Sequence, residues 1–312
     1  MDFVLLFPGQ GSQKPGMGKD LAESSAAARR VFAAADETLG APLSKLCFEG
    51  PAEELMLTHN AQPALLAHGA AAWATVADAL RESVVAAAGH SLGEFTAYHA
   101  AGALDLAAAV KLVRRRGELM YETGLQRPGA MAAILGDTSE PIEALCTRAS
   151  AETGLVVPAN YNSPGQVVVS GEEAGVERVM ALARETGAKR AIRLQVSGAF
   201  HSPLMVPARE GLAAAIGEAR LSSPAFPVYA NVDASPVTDG ARAEDLLLRQ
   251  LTSPVRWTAV VSALAAAFPD ATFVEVGPGA VLSGLVKKIA PGRRVMTCGT
   301  SADVDLLLGA VA

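Results

Sequence analysis

A short apolar run, Phe3–Phe7, opens the chain and breaks at Pro8-Gly9, which predicts a buried strand ending in a tight turn. Alanine-rich helical stretches follow. The uncharged segment from Asn60 to Ala77 reads as a buried helix rather than a membrane span, because Gln62, Pro63 and His68 inside it would be poorly tolerated on a lipid-facing surface. A second apolar run, Val84–Ala88, ends in Gly89. Strands separated by helices imply a mostly parallel sheet. Between about Gly129 and Gln195 the pattern changes. Ala130–Leu135 is strand-like and Glu140–Thr153 helical; Leu155–Tyr161 and Gln166–Ser170 are strand-like around Asn162-Ser163-Pro164-Gly165. Helix Glu172–Thr186 and strand Arg190–Gln195 complete the order βαββαβ, the split unit of a ferredoxin-like domain. The alternation then returns, with strands Val228–Val232 and Thr272–Val276 and helices Val255–Ala267 and Ala280–Ile289. The expected fold class is α/β: a doubly wound body of residues 1–126 and 197–312, interrupted by a ferredoxin-like subdomain at 127–196.

Composition narrows the partners. The chain has 312 residues, half of them apolar, enough for a substantial core. A formal charge of -6 argues against a general affinity for nucleic acid or anionic membrane, which needs clustered Lys and Arg, so any acidic partner must meet a local basic patch. The N-terminal run lacks a basic flank and a small-residue cleavage site, so a cytoplasmic protein is expected. Cys47, Cys146 and Cys298 are far apart and in no metal-ligand spacing; they read as core thiols, with no metal, nucleotide or flavin site indicated. Without coiled-coil heptads, a monomer is the simplest reading.

Chemistry enters at Gly89-His90-Ser91-Leu92-Gly93, which follows an apolar strand and precedes a plausible helix from Glu94 to Ala101. That is the setting of a nucleophile elbow: glycines permit the sharp turn, and the helix N-terminus favours a developing oxyanion. The bland alternative is a turn whose serine only caps a helix. A serine nucleophile needs a base, and five histidines are available. His90 is expected to point away from Ser91, while His59, His68 and His99 lie in or beside apolar helices. His201 stands apart, in a loop where the chain re-enters the main body; loops at such crossings often carry catalytic groups.

Three segments, Phe7-Pro8-Gly9-Gln10-Gly11-Ser12-Gln13, Gly89-His90-Ser91-Leu92-Gly93-Glu94 and Gly198-Ala199-Phe200-His201, in this order, resemble the malonyl-CoA:acyl carrier protein transacylases of bacterial fatty acid synthesis. The likeness runs from Phe7 to about Leu285. It implies an α/β-hydrolase-like body with an inserted ferredoxin-like subdomain. It also implies Ser91 as nucleophile, His201 as base, and the backbone N–H groups of Gln10 and Leu92 as oxyanion hole. Arg116, followed by Gly117, would grip the malonyl carboxylate through two charge-assisted hydrogen bonds, with Arg114 and Arg115 solvated. No distinctive Asp supplies a third acid. In the family backbone carbonyls orient the histidine, and Gln250 resembles the residue in that neighbourhood. Gln62 and Asn162 match recurrent positions near the pocket. Phe200 stands where, in related polyketide acyltransferases, phenylalanine accompanies malonyl preference and serine accompanies methylmalonyl; Gly198 departs from the histidine common in polyketide malonyl domains.

The resemblance implies no cofactor beyond the coenzyme A thioester of the substrate. The implied acceptor is acyl carrier protein with its phosphopantetheine arm, an acidic partner for which Lys287, Lys288, Arg293, Arg294, Lys189 and Arg190 are candidate contacts. A serine thioesterase or hydrolase, a trans-acting polyketide acyltransferase and a malonate decarboxylase subunit are the alternatives of like chemistry.

Overall fold

The computed structural model describes residues 1–311. Its strands are β1 (Phe3–Phe7), β2 (Val84–Gly89), β3 (Ala130–Leu135), β4 (Val156–Ser163), β5 (Gln166–Gly171), β6 (Arg190–Arg193), β7 (Val228–Tyr229), β8 (Pro236–Val237), β9 (Thr272–Val276) and β10 (Val295–Cys298). They form a six-stranded sheet in the order β10-β9-β1-β2-β7-β8 and a four-stranded sheet in the order β4-β5-β3-β6. In the larger sheet only the β7–β8 pairing is antiparallel.

Register explains where the chemistry can gather. Phe7 lies beside Gly89, and Ala88 beside Tyr229. The residues that follow these three parallel strands, around Gln10, Ser91 and Asn231, therefore emerge together at the carboxyl edge of the sheet, where open α/β sheets bind ligands. All five residues of β1 are buried, as a continuous apolar strand covered on both faces must be. The helix Thr58–Leu80 is buried without a break from Ala61 to Trp73, matching the expectation of a core helix. No helix among the described residues is long and apolar enough to cross a membrane.

The smaller sheet is wholly antiparallel and, with helices Ile142–Glu152 and Glu173–Glu185, shows the βαββαβ order. Its side chains alternate as a two-sided strand requires. Ala130, Ala132 and Ile134 pack into a core of their own with Leu145, Val176 and Val179, whereas Met131 turns into the main core. Backbone bonds tie this sheet to the body: Val255 N–H donates to the Ala159 carbonyl at 2.8 Å, and Tyr161 N–H to the Val255 carbonyl at 2.9 Å.

Three features differ from the sequence reading. The run Val228–Val232 yields only the two-residue β7, because Asn231 leaves the ladder to bind the turn after β2. The strand expected over Arg190–Gln195 ends at Arg193. The edge strand β10 and the helix Ser301–Val311 had no clear periodic signal: β10 is four residues long and mostly half-buried.

Candidate active site

Ser91 has φ 51° and ψ -107°, outside the regions open to an unstrained L-residue. Glycines make room for this turn. A side chain at Gly93 would overlap the Phe7 carbonyl, one at Gly9 the His90 carbonyl, and one at Gly89 the backbone of Gly93. Asn231 then staples the turn shut: its Oδ1 accepts from Ser91 N–H at 2.7 Å, and its Nδ2 donates to the Gly89 carbonyl at 2.7 Å.

His201 is buried and also has a positive φ, 56°. Its Nε2 lies 2.7 Å from Ser91 Oγ and its Nδ1 2.9 Å from the Gln250 carbonyl oxygen. The carbonyl can only accept, so the ring proton sits on Nδ1 and Nε2 is free to take the serine proton. Burial, reinforced by the nearby charge of Arg116, pushes the His201 pKa from 6.5 to about 3. His201 is therefore neutral at physiological pH. Its orienting partner is a backbone carbonyl, not a carboxylate.

Arg116 projects from the helix Leu106–Gln126 and is 1% exposed. One terminal nitrogen, Nη1, donates to Gln62 Oε1 at 2.7 Å; the other, Nη2, donates to Gln250 Oε1 at 3.0 Å and Ser91 Oγ at 3.1 Å. The guanidinium lies 5.2 Å from the Phe95 ring centre, and its Nε has no partner among the described residues. Burial lowers its pKa to about 10, which leaves it cationic at neutral pH. Among the described residues it forms no ion pair, unlike the exposed Arg115, which pairs with Glu118 and Glu122. Arg114 is not simply solvated: it holds the His59 carbonyl, Asn60 Oδ1 and Glu118.

These groups open onto a cavity of about 320 Å³ whose wall includes Gln10, Leu92, Met120, Met131 and Phe200. The backbone N–H groups of Gln10 and Leu92 donate to no protein acceptor among the described residues. The Gln10 side chain is parked on Thr58 Oγ1 at 2.9 Å, which fixes the loop. Gln62 and Gln250 stand behind Arg116 rather than on the wall, and Asn162 Oδ1 meets His90 Nε2 at 2.8 Å. His90 lines the cavity, but its ring is bonded to Asn162 and makes no hydrogen bond to Ser91. His68 is a buried core imidazole held by the Gly299 carbonyl at 2.9 Å.

Sequence reasoning gave Asn231 and Glu94 no role. Asn231 sits in Tyr229-Ala230-Asn231-Val232, which has no local signature, and only the register of β7 beside β2 reveals it. Of the basic candidates, Lys189, Arg190, Lys287, Lys288 and Arg294 are exposed. Arg293 instead donates to the Pro269 and Ala265 carbonyls.

A strained serine bonded to a neutral histidine, at a strand-to-helix turn beside free backbone N–H groups, defines a serine-dependent acyl-transfer enzyme. The acyl transferase domain model matches residues 4–297. The chain is 50% identical, over 96% of its length and 93% of the relative's, to the malonyl CoA-acyl carrier protein transacylase of Bacillus subtilis (strain 168). Its fold matches the acyl-carrier-protein-S-malonyltransferase of Bartonella henselae with a TM-score of 0.94 at 39% identity, covering 100% of this chain and 99% of that one. It also matches a malonyl-transacylase solved in complex with its type II PKS acyl-carrier protein, with a TM-score of 0.92 at 38% identity, covering 99% and 100%. The chain belongs to the malonyl-CoA:acyl carrier protein transacylases, within the acyl transferase family.

Proposed function

We propose that this chain transfers malonyl groups from malonyl-CoA to the phosphopantetheine thiol of acyl carrier protein through an ester on Ser91, supplying fatty acid synthesis. The observation that carries the malonyl assignment is Arg116: a buried cation without an ion pair, 3.1 Å from the nucleophilic oxygen. The buried Glu94 lies beyond Gln250 and does not pair with Arg116 directly, so the cation is costly, and a carboxylate at the far end of the acyl group would offset that cost. Acetyl has none.

In the first half-reaction Ser91 Oγ bonds to the thioester carbon while its proton passes to His201 Nε2. The N–H groups of Gln10 and Leu92 hold the tetrahedral oxyanion. Collapse breaks the carbon–sulfur bond, and His201 returns the proton to the departing thiolate. The carrier thiol then repeats the sequence on the Ser91 ester, giving ping-pong transfer. Arg116 keeps the malonyl carboxylate fixed in both halves, and Phe200 beside His201 crowds an α-methyl substituent. The chemistry needs no cofactor, since coenzyme A arrives as part of the substrate. The exposed Lys287, Lys288, Lys189 and Arg190 provide a basic rim for an acidic carrier. A cytosolic monomer is the working form, in keeping with three buried free cysteines.

Mixing the protein with malonyl-CoA and holo acyl carrier protein tests the reading. Malonyl appearing on the carrier supports it; free malonate with an uncharged carrier would mark a hydrolase.

A further inference from the structure

Glu94 lies in the first turn of the helix that begins at Leu92 and has no solvent exposure. It touches neither the Ser91 hydroxyl nor His201. Its Oε2 accepts from Gln250 Nε2 at 2.8 Å and from Asn231 N–H at 3.1 Å, while its Oε1 is buried without a partner. Burial raises its pKa to about 7. A carboxylate in such a place is costly, and an apolar residue would serve stability better. Its position in the hydrogen-bond chain suggests what it does.

The Gln250 carboxamide has an accepting end and a donating end of nearly equal shape. Arg116 offers only donors, so the guanidinium keeps this partner only when the Gln250 oxygen faces it. The nitrogen end is pinned on the other side, because Nε2 donates to Glu94 Oε2 and to the Ser91 carbonyl at 3.0 Å. That leaves Oε1 to accept from Arg116 at 3.0 Å. Glu94 Oε2 accepts whether or not the group is ionised, since a proton can sit on the unpartnered Oε1. Through Asn231 N–H the same oxygen also steadies the residue that staples the Ser91 turn.

We propose that Glu94 is a positioning residue for malonyl selection: by holding the Gln250 carboxamide with its oxygen toward Arg116, it keeps the guanidinium aimed at the acyl group on Ser91. The inference rests on Arg116 being the malonyl clamp.

Two substitutions test it. Glu94→Leu removes the acceptor, and Glu94→Gln keeps a carbonyl oxygen in place while removing the charge. For each, kcat and KM are measured for loading from malonyl-CoA and acetyl-CoA. Glu94→Leu should lower the malonyl-to-acetyl ratio by about tenfold or more, as loss of a buried hydrogen-bond partner does, chiefly through the malonyl KM. Glu94→Gln should stay within about threefold of the parent ratio, because its oxygen still receives both donors. A Glu94→Leu protein that keeps the parent ratio, whatever its absolute rates, overturns the proposal. So does a Glu94→Gln protein that loses selectivity; this nearly isosteric variant decides the matter if the leucine variant fails to fold. The parent and Arg116→Ala are run alongside. If they show no Arg116-dependent malonyl preference, the clamp itself is wrong; if they do and the Glu94 variants behave otherwise than stated, only the role of Glu94 is.

Discussion

Replacing Arg116 with alanine removes a guanidinium whose two terminal nitrogens bind Gln62, Gln250 and Ser91 Oγ at 2.7–3.1 Å. A hydrogen bond to a charged group contributes about 1.5–3 kcal/mol, so losing a two-point grip on the malonyl carboxylate costs about 3–5 kcal/mol. At 1.36 kcal/mol per factor of ten, kcat/KM for malonyl loading should fall between about a hundredfold and a few thousandfold. Acetyl-CoA offers no carboxylate and loses only the one contact to Ser91 Oγ, about 1.5–3 kcal/mol, so its loading should fall by roughly ten- to a hundredfold and by less than malonyl loading does. The variant also leaves Gln62 Oε1 and Gln250 Oε1 without their donor, at about 1–3 kcal/mol each, partly offset by removing a buried cation. Thermal denaturation therefore accompanies the kinetics, to confirm that a folded enzyme is being compared. Initial rates of acyl-enzyme formation from the two thioesters give the ratio. Equal losses for malonyl and acetyl would refute the assignment of Arg116 as the carboxylate clamp.

His201 must be neutral to act as base, and its pKa is lowered to about 3, so kcat/KM for malonyl loading should stay level as pH falls from 8 to about 5. An acid limb centred near 6.5 would contradict this. Because the folded pKa lies below the unfolded one, the group's stability contribution is complete above about 6.5 and is lost as pH falls toward 3, at up to about 1.4 kcal/mol per pH unit. Gly93→Ala, which drives a methyl group into the Phe7 carbonyl, should cost roughly 3–5 kcal/mol in urea unfolding; near-parent stability would show that the turn can relax. The parent should load malonyl far faster than methylmalonyl, and Phe200→Ser should narrow that gap by about tenfold through added space; an unchanged gap would remove Phe200 from the selectivity account.

Much of the fold was legible because β1 and β2 are continuous apolar runs that end at or just before a glycine turn, and the βαββαβ segment switches period cleanly. Ser91 was legible because a glycine on each side of a serine, between strand and helix, has few structural uses. Arg116 was not singled out by spacing, since it ends a row of three arginines; family resemblance selected it, and burial separates it physically from Arg114 and Arg115. Asn231 and Glu94 escaped detection for a different reason. They act through the register of β7 against β2 and through the Gln250 side chain, contacts 134–159 residues apart in sequence that no local pattern encodes.

The central claim is that Ser91 carries the malonyl group. Incubation with malonyl-CoA in the absence of carrier protein, followed by acid quenching, intact-mass measurement and peptide mapping, tests it directly. The expected result is a single malonyl group on the peptide containing Ser91, absent from Ser91→Ala and discharged when holo carrier protein is added. Consumption of malonyl-CoA with no adduct, or an adduct that persists in Ser91→Ala, would contradict it.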